Sequence, residues 1–420
     1  MNFRIKILDL VRKTNQNNLY NSFIENQFKK TEDSIIAYQN NAKEKILQHH
    51  IKHNKNYREW LISKGIDLTK KIEFDEIPII NKKDLLVIHP FIEKFIHQIY
   101  HTGGTTGTPF KYSLSRESVS SLWPNLWRAF NTCGIKPCTP IIMIAGPSLY
   151  NNRSIPRKIF DWINRFTVIS AFDLNTDKLQ NTYDIIKQKN IKGIYGYTSA
   201  ILIFLRHLEK NNLYLDLRGI FSTSETFIPK IRTLAKTYCN CDVFDIYGAN
   251  DGGICAFECQ EHNGYHISYE RTYVEIIAHK IILTDLTNLS FPFIRYEVGD
   301  VSNSNEIIYE KCKCGSSLPK ISSISGRVNS YITDSNGNRI HTEFFSHLFN
   351  KDETIIQFQV SEKFNIINVN IISDKEDIKY YQTKYNDAFN KRFIKKIGIS
   401  VNSRIYKNGN EKTPIFIKLD

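Results

Sequence analysis

The sequence is short of long hydrophobic runs. Nothing in its 420 residues approaches eighteen consecutive apolar positions, so no membrane-spanning helix is predicted. The opening stretch MNFRIKILDLVRKTNQ has charges scattered among its apolar residues and lacks a small-residue cleavage site. It does not read as a signal peptide, and a cytosolic location is expected. Cysteine is scarce: eight in 420 residues are too few for a disulfide scaffold. Internal repeats and low-complexity stretches are also missing, so neither a solenoid nor a disordered linker is expected. Acidic residues are in deficit, 43 against 56 basic ones, which leaves a net charge of +13. Such a surplus suits nucleic acid or phosphorylated small molecules. The lysines are spread along the whole chain without forming a stripe, so a nucleic-acid partner is not expected.

What is present is the composition of a folded chain, 41% hydrophobic and 24% charged. Its length predicts two or three domains. Residues 1–60 are polar and rich in Lys and Asn, with apolar residues at helical spacing around Leu8, Val11 and Ile35–Ile36; they read as a solvated helical cap. Glu76–Ile80 reads as a compact linker. From about residue 100 to 325, short apolar runs such as Ile141–Ala145, Val168–Ala171, Gly193–Tyr197, Gly219–Ser222 and Val243–Ile246 alternate with helical segments. That alternation predicts an α/β core. The helix beginning at Thr198 is expected to be capped by a Thr or Ser. After residue 326, strand-like pieces (Ile355–Val360, Ile366–Ile372), Asn-Gly turns and a polar helix near Asp377–Phe393 predict a smaller α+β unit. The expected division is 1–327 for the large α/β body and 328–420 for a small mobile C-terminal domain.

The most informative stretch is Thr102-Gly103-Gly104-Thr105-Thr106-Gly107-Thr108-Pro109. Its glycines allow conformations that expose backbone amides, and its threonine hydroxyls add donors, so the loop can wrap a polyphosphate. No Lys-Ser/Thr follows at Walker spacing, which excludes a kinase-type P-loop. A Gly/Thr-rich hairpin turn is the structural alternative.

The loop resembles the phosphate-binding signature [ST]-S-G-[ST]-T-G-K-P of the adenylate-forming (acyl-AMP) enzymes. Thr102, Gly104, Thr105, Thr106, Gly107 and Pro109 match it; Gly103 and Thr108 depart from it, Thr108 standing where lysine is usual and Lys111 lying nearby. Further blocks follow in that superfamily's order. Ser222-Thr223-Ser224-Glu225 looks like the adenine-side loop. Tyr247-Gly248-Ala249-Asn250-Asp251 resembles Y-G-x-[ST]-E, with Asp251 one methylene shorter than the usual Glu. Thr284–Asn288 and Pro292–Asp300 resemble T-D-L…P-x-I-R-Y-x-x-G-D, and Gly326-Arg327 resembles the G-R before the interdomain hinge.

The wording of these blocks is similar to the phenylacetate–CoA ligase-like branch, which includes members found with capsular polysaccharide genes. The resemblance covers residues 100–330 and implies a large adenylate-forming N-terminal body, its β-sheets flanked by helices, with a small α+β C-terminal lid. It implies that Thr102, Gly104, Thr105, Thr106, Gly107, Ser224, Glu225, Tyr247, Gly248, Asp300 and Arg327 contact ATP. In that role Tyr247 packs on adenine, Asp300 holds the ribose hydroxyls and Asp251 holds Mg²⁺. It also implies Lys412, in the terminal stretch Gly409–Ile417, as the lysine that reaches the α-phosphate and the attacking carboxylate.

Cys259-Gln260-Glu261-His262 precedes Cys312-Lys313-Cys314-Gly315 by about fifty residues. Cys259, His262, Cys312 and Cys314 make a Cys₃His set that tetrahedral zinc accepts, with His266 as the competing fourth ligand. The resemblance implies a structural zinc here. The other cysteines (Cys133, Cys138, Cys239, Cys241, Cys255) have no adjacent base and read as packing residues.

The implied reaction is activation of a small carboxylic acid to acyl-AMP with loss of pyrophosphate, then acyl transfer to CoA or an amine. Val328-Asn329-Ser330 departs from the usual hinge aspartates, so adenylation is the firmer part of that expectation. The segment Asp334–Arg339 reads as a polar hairpin. Trp123 and Trp127 are candidates for an aryl-acid pocket, with core packing as the alternative. The competing functional reading is a catalytically retired homologue that serves as a binding module.

Overall fold

The computed structural model describes residues 3–101, 110–145, 155–171, 174–324, 326–327, 331–333, 339–341, 345, 349, 352, 354–363, 366–373, 377–390, 397–401 and 416–418. Its centre is a nine-stranded sheet. Five strands are parallel and lie in the order Phe166–Ser170, Ile141–Ala145, Gly193–Tyr197, Gly219–Thr223 and Asp242–Ala249. Antiparallel strands Ile254–Phe257, Tyr265–Ile267, Lys320–Ile321 and Ile307–Ile308 extend the far edge.

The apolar runs that lack alternation are strands buried on both faces. Ile141, Met143, Phe221 and Phe244 point into one core with Trp127, Phe130 and Phe160. Ile142, Ile144, Ile194, Ile220 and Val243 point into the opposite core, under the helices Thr176–Gln188, Thr198–Lys210 and Lys230–Cys239.

A second, four-stranded antiparallel sheet comprises Thr272–Ile277, Lys280–Asp285, Tyr296–Val301 and Gly326–Arg327. Beside it stands the hairpin Gln98–His101/Lys111–Leu114, whose Tyr112 ring lies 5.5 Å from Phe293. The C-terminal part is a four-stranded mixed sheet in the order Ile397–Val401, Ile366–Ser373, Ile355–Lys363, Phe416–Lys418. With the helix Ile378–Asn390 it closes on a core of its own, including Phe345, Phe349, Tyr381 and Tyr385. Tyr331–Thr333 pairs with Arg339–His341, as expected for the polar hairpin.

Three expectations change. Residues 3–60 are largely helical, in Phe3–Arg12, Gln16–Lys29, Glu32–His53 and the start of Lys55–Ser63, but they are no solvated cap. Phe23, Ile35, Leu47, Tyr57 and Trp60 are buried. His50 donates from Nε2 to Asn288 O at 2.9 Å, and burial lowers its pKa to about 3, which keeps the ring neutral. Glu76–Ile80 is no mere linker, because Ile77 and Ile80 are fully buried. The helix Thr198–Lys210 has no side-chain cap from Tyr197, the residue at its N-cap. A carboxylate from another strand end, Glu225, accepts from Ser199 N at 2.7 Å.

Candidate functional site at the carboxyl ends of the parallel strands

In open α/β sheets, ligands bind beyond the carboxyl ends of the strands, near the place where the strand order reverses. Here the chain runs from Ile141–Ala145 outward to Phe166–Ser170, then crosses back to Gly193–Tyr197 on the other side. The carboxyl ends beside that reversal lead into Thr198, Ser224 and Asn250. Thr223 donates from its hydroxyl to Ile246 O at 3.0 Å, tying two of these ends together. Ser224 follows in the left-handed region, with φ 70°, and is exposed. A non-glycine residue held there is strained backbone of the kind found at ligand sites.

The segment 247–251 is the hub. Tyr247 donates its hydroxyl proton to Asp300 Oδ2 at 2.6 Å, and Tyr296 donates to Asp251 Oδ2 at 3.4 Å. Both bonds run from the central sheet to the strand Tyr296–Val301 of the second sheet, so the site is a seam between two sheets. Asp300 also stands opposite Arg327 in strand register. Gly248 is exposed, and among the described residues a Cβ there would meet only Ile254 O, at 3.9 Å. None of the described residues blocks a planar ligand at its face. Gly253 is different: at φ +79° its Cβ would sit 2.7 Å from Asp285 Oδ2, so only glycine fits.

The hairpin that carries the glycine–threonine loop is anchored to the same region. Asn288 donates to Ser113 O at 2.9 Å and accepts from Ser115 N at 3.1 Å. Tyr112 is buried, which raises its pKa, and the charge of Asp251 raises it further. Thr102, Gly104, Thr105, Thr106 and Gly107 lie outside the described residues, as does Lys412.

Other motif residues hold the frame. Asp285 accepts from Thr287 N at 2.9 Å and from Ser118 Oγ at 3.0 Å. Arg295 donates to Ile77 O at 2.7 Å and pairs with Glu275 at 3.0 Å. Trp127 is buried in the core, and Trp123 packs 5.1 Å from Phe160 and 5.0 Å from Phe166. Core packing is therefore what both tryptophans do.

Sequence reasoning missed Asp245. It lies buried in the strand Asp242–Ala249 and accepts from Ser222 Oγ at 2.6 Å and Tyr265 OH at 2.8 Å. Burial pushes its carboxyl up to about 6. A lone acid in an apolar strand, Val243-Phe244-Asp245-Ile246, was the available signal. Tyr296 and Tyr112, which face Asp251, carried no signal beyond their place in or beside the motif blocks.

At the far end of the sheet, Cys259, His266, Cys312 and Cys314 bring their donor atoms within 4.8 Å of one another. His266 replaces the expected His262. His266 sits in a buried strand, with Nδ1 facing Leu318 O at 3.4 Å and Nε2 at 3.5 Å from Cys314 Sγ. His262 closes the turn after Cys259 at φ 47°. Its ring is turned away, to Arg232 at 2.7 Å and Glu258 at 3.5 Å. The remaining cysteines behave as packing residues: burial pushes Cys133 and Cys239 up to about 12 and Cys255 to about 11.

No family model matches the sequence, and no curated protein is detectably similar to it. Solved structures are. The chain superposes on a 2-hydroxyisobutyryl-CoA ligase in complex with 2-HIB-AMP at a TM-score of 0.73 and 14% identity, covering 93% of this chain and 91% of the other. The fold is that of the adenylate-forming ligases. ATP-bound MatB from Rhodopseudomonas palustris matches at 0.52 and 12% identity, over 75% of this chain and 66% of MatB. The amide bond synthetase McbA from Marinactinospora thermotolerans matches at 0.50 and 11%, over 75% and 67%. No helix among the described residues is long and apolar enough to cross a membrane.

Proposed function

We propose that the protein is an ATP-dependent adenylate-forming ligase. The observation that carries this reading is the seam at residues 247–251, where Tyr247 meets Asp300 and Asp251 meets Tyr296 at the carboxyl ends of the parallel strands. The same fold in a ligase bound to an acyl-adenylate supports it.

Two anions must meet, so positioning and charge neutralisation matter more than acid–base chemistry. A carboxylate oxygen attacks the α-phosphorus of ATP, the bond from that phosphorus to the bridging oxygen breaks, and pyrophosphate leaves. An acceptor thiol or amine then attacks the acyl carbon, and AMP departs with one of the carboxylate oxygens. Tyr247 offers its ring to adenine across the open face at Gly248, Ser224 and Glu225 border the base, and Asp300 accepts from the ribose hydroxyls. Arg327 stands beside it at the hinge. The loop from Thr102 to Gly107 cradles the β- and γ-phosphates, and Lys412 arrives with the C-terminal domain, 328–420, acting as a lid. The hard carboxylate oxygens of Asp251 suit Mg²⁺, which when bound screens phosphate charge.

The thiolate cluster fits a structural zinc. Tetrahedral bonds of about 2.3 Å to sulfur and about 2.05 Å to nitrogen put sulfurs about 3.8 Å apart, and sulfur about 3.5 Å from nitrogen. The distances here are 3.8 Å for Cys259–Cys312 and 3.5 Å for Cys314–His266. Four protein donors leave no open position, so this metal would brace the sheet rather than touch substrate.

The motif wording supports a reading within the phenylacetate–CoA ligase-like branch, with CoA or an amine as the proposed acceptor and surface polysaccharide synthesis as the proposed setting. Thr108 and Asp251 favour the second reading, a catalytically retired homologue that keeps the fold and serves as a binding or partner module. Carboxylate-dependent exchange of labelled pyrophosphate into ATP separates the two, screened over aryl, amino and sugar acids. Exchange that Lys412→Ala abolishes while ATP still binds supports the ligase. Absence of both exchange and ATP binding establishes the retired form.

A further inference from the structure

The helix Phe3–Arg12 is apolar on two opposite faces. Ile5 and Leu8 are buried, whereas Phe3, Ile7, Leu10 and Val11 face outward, with Leu10 80% and Val11 73% exposed. At 3.6 residues per turn, positions 3, 7, 10 and 11 form one stripe. The neighbouring helix Ile155–Asn164 repeats the pattern. Phe160 and Ile163 are buried, while Ile155, Ile159 and Trp162, at spacing i, i+4, i+7, point outward, and Trp162 is 71% exposed. The two helices touch: Arg4 lies over the Trp162 ring at 5.4 Å and Arg12 over Phe160 at 5.2 Å. Their outer stripes form one apolar surface, and a monomer in water rarely exposes so many large side chains together.

Among the described residues of the two helices, the exposed charges have one sign. Lys6, Lys13 and Lys158 flank the stripes and are exposed. The acids of both helices are turned inward. Asp9 accepts from Thr14 Oγ1 and Gln16 N, each at 2.8 Å, and Asp161 is buried against Arg157 at 3.0 Å. At one end, Phe3 and Arg4 line a cavity with Arg165, Lys192 and Arg218, and no acidic residue among the described ones lines it. Lys192 and Arg218 immediately precede two adjacent in-register parallel strands, and Arg165 precedes the edge strand Phe166–Ser170, one strand further along beyond Ile141–Ala145, so the sheet arrays the three along its amino-terminal edge.

We propose that this surface docks the protein on an anionic lipid bilayer, the outer stripes entering the headgroup region and the basic rim and cavity receiving lipid phosphates. Apolar residues with an interfacial tryptophan, a cationic flank and acids engaged within the fold are the chemistry of an interfacial helix. A second copy of this chain would bring two cationic rims together, which disfavours self-association. The site lies on the helices Phe3–Arg12 and Ile155–Asn164 and at the amino ends of the parallel strands, opposite their carboxyl ends, so the inference does not depend on the proposed activity.

The test is cosedimentation of the full chain with vesicles of phosphatidylcholine alone or with about a third phosphatidylserine, followed in parallel by tryptophan emission. Binding to the anionic vesicles alone, weakening as salt is raised, is expected, with a blue shift that Trp162→Phe removes. Leu10→Ser/Val11→Ser/Trp162→Ser should weaken partitioning by about a hundredfold, while the melting curve and near-ultraviolet dichroism show the variant folded. Lys6→Glu/Lys158→Glu, which leaves the apolar stripes intact, should also lose binding. Failure to bind anionic vesicles at low salt overturns the proposal. So does a wild-type dimer that the serine substitutions dissociate, since the occupant would then be a second copy.

Discussion

Asp245 is an acid that should destabilise the protein at neutral pH. Burial is the largest influence on it and raises its pKa from 3.8 to about 6; Glu258 pushes the same way, while the hydrogen bonds from Ser222 and Tyr265 and the charge of Arg232 oppose. The folded state therefore holds this proton more tightly than the unfolded chain does. Its contribution is fully present below the unfolded value of 3.8 and is lost as pH rises through about 6. A difference of about two pH units corresponds to about 3 kcal/mol. Asp245→Asn keeps the size and can still hydrogen-bond Ser222 and Tyr265, but carries no charge to desolvate. Thermal unfolding of both proteins from pH 4 to pH 8 is the assay. The melting temperature of the Asp245→Asn variant relative to wild type should rise across that window by about 5 °C. A pH-independent difference would refute the reasoning. A difference that falls with pH would mean the native network stabilises the carboxylate.

Three other outcomes follow from the packing and the metal cluster. Arg128 is fully buried and bonds both oxygens of Glu270 at 3.0 Å, so Arg128→Ala should cost about 3–5 kcal/mol, read as a lowered urea midpoint. Arg128→Met/Glu270→Leu should recover most of that loss, because the pair's removal leaves no orphaned charge. His266→Ala should lose zinc on metal analysis while His262→Ala retains it; the reverse would restore the ligand set first expected from the sequence.

Much of this fold was legible because buried parallel strands announce themselves as short apolar runs between helices. Ile141–Ala145 and Gly193–Tyr197 are strands with the bounds the sequence suggested. The hub at Tyr247, Asp251 and Asp300 was legible as motif blocks, although the sequence could not say that Tyr247 and Asp300 are directly bonded across two sheets. What escaped depends on contacts between distant segments. His262 and His266 differ in sequence only by four positions, and the choice between them is made by a turn at φ 47° and a buried strand. The N-terminal helices read as solvated because Lys and Asn dilute their apolar stripes, yet Tyr57 and Ile35 are fully buried. Glu225 caps a helix that begins 27 residues earlier in the chain, a partnership with no local signature.

The most direct test of the adenylate claim is the fate of a carboxylate oxygen. Substrate acid labelled with ¹⁸O in both carboxylate positions is turned over with ATP and acceptor, and AMP is examined by mass spectrometry. One ¹⁸O per AMP is the predicted result, since the attacking oxygen stays on the α-phosphorus when the acyl group leaves. Label in inorganic phosphate with formation of ADP, or turnover with unlabelled AMP, would contradict the account.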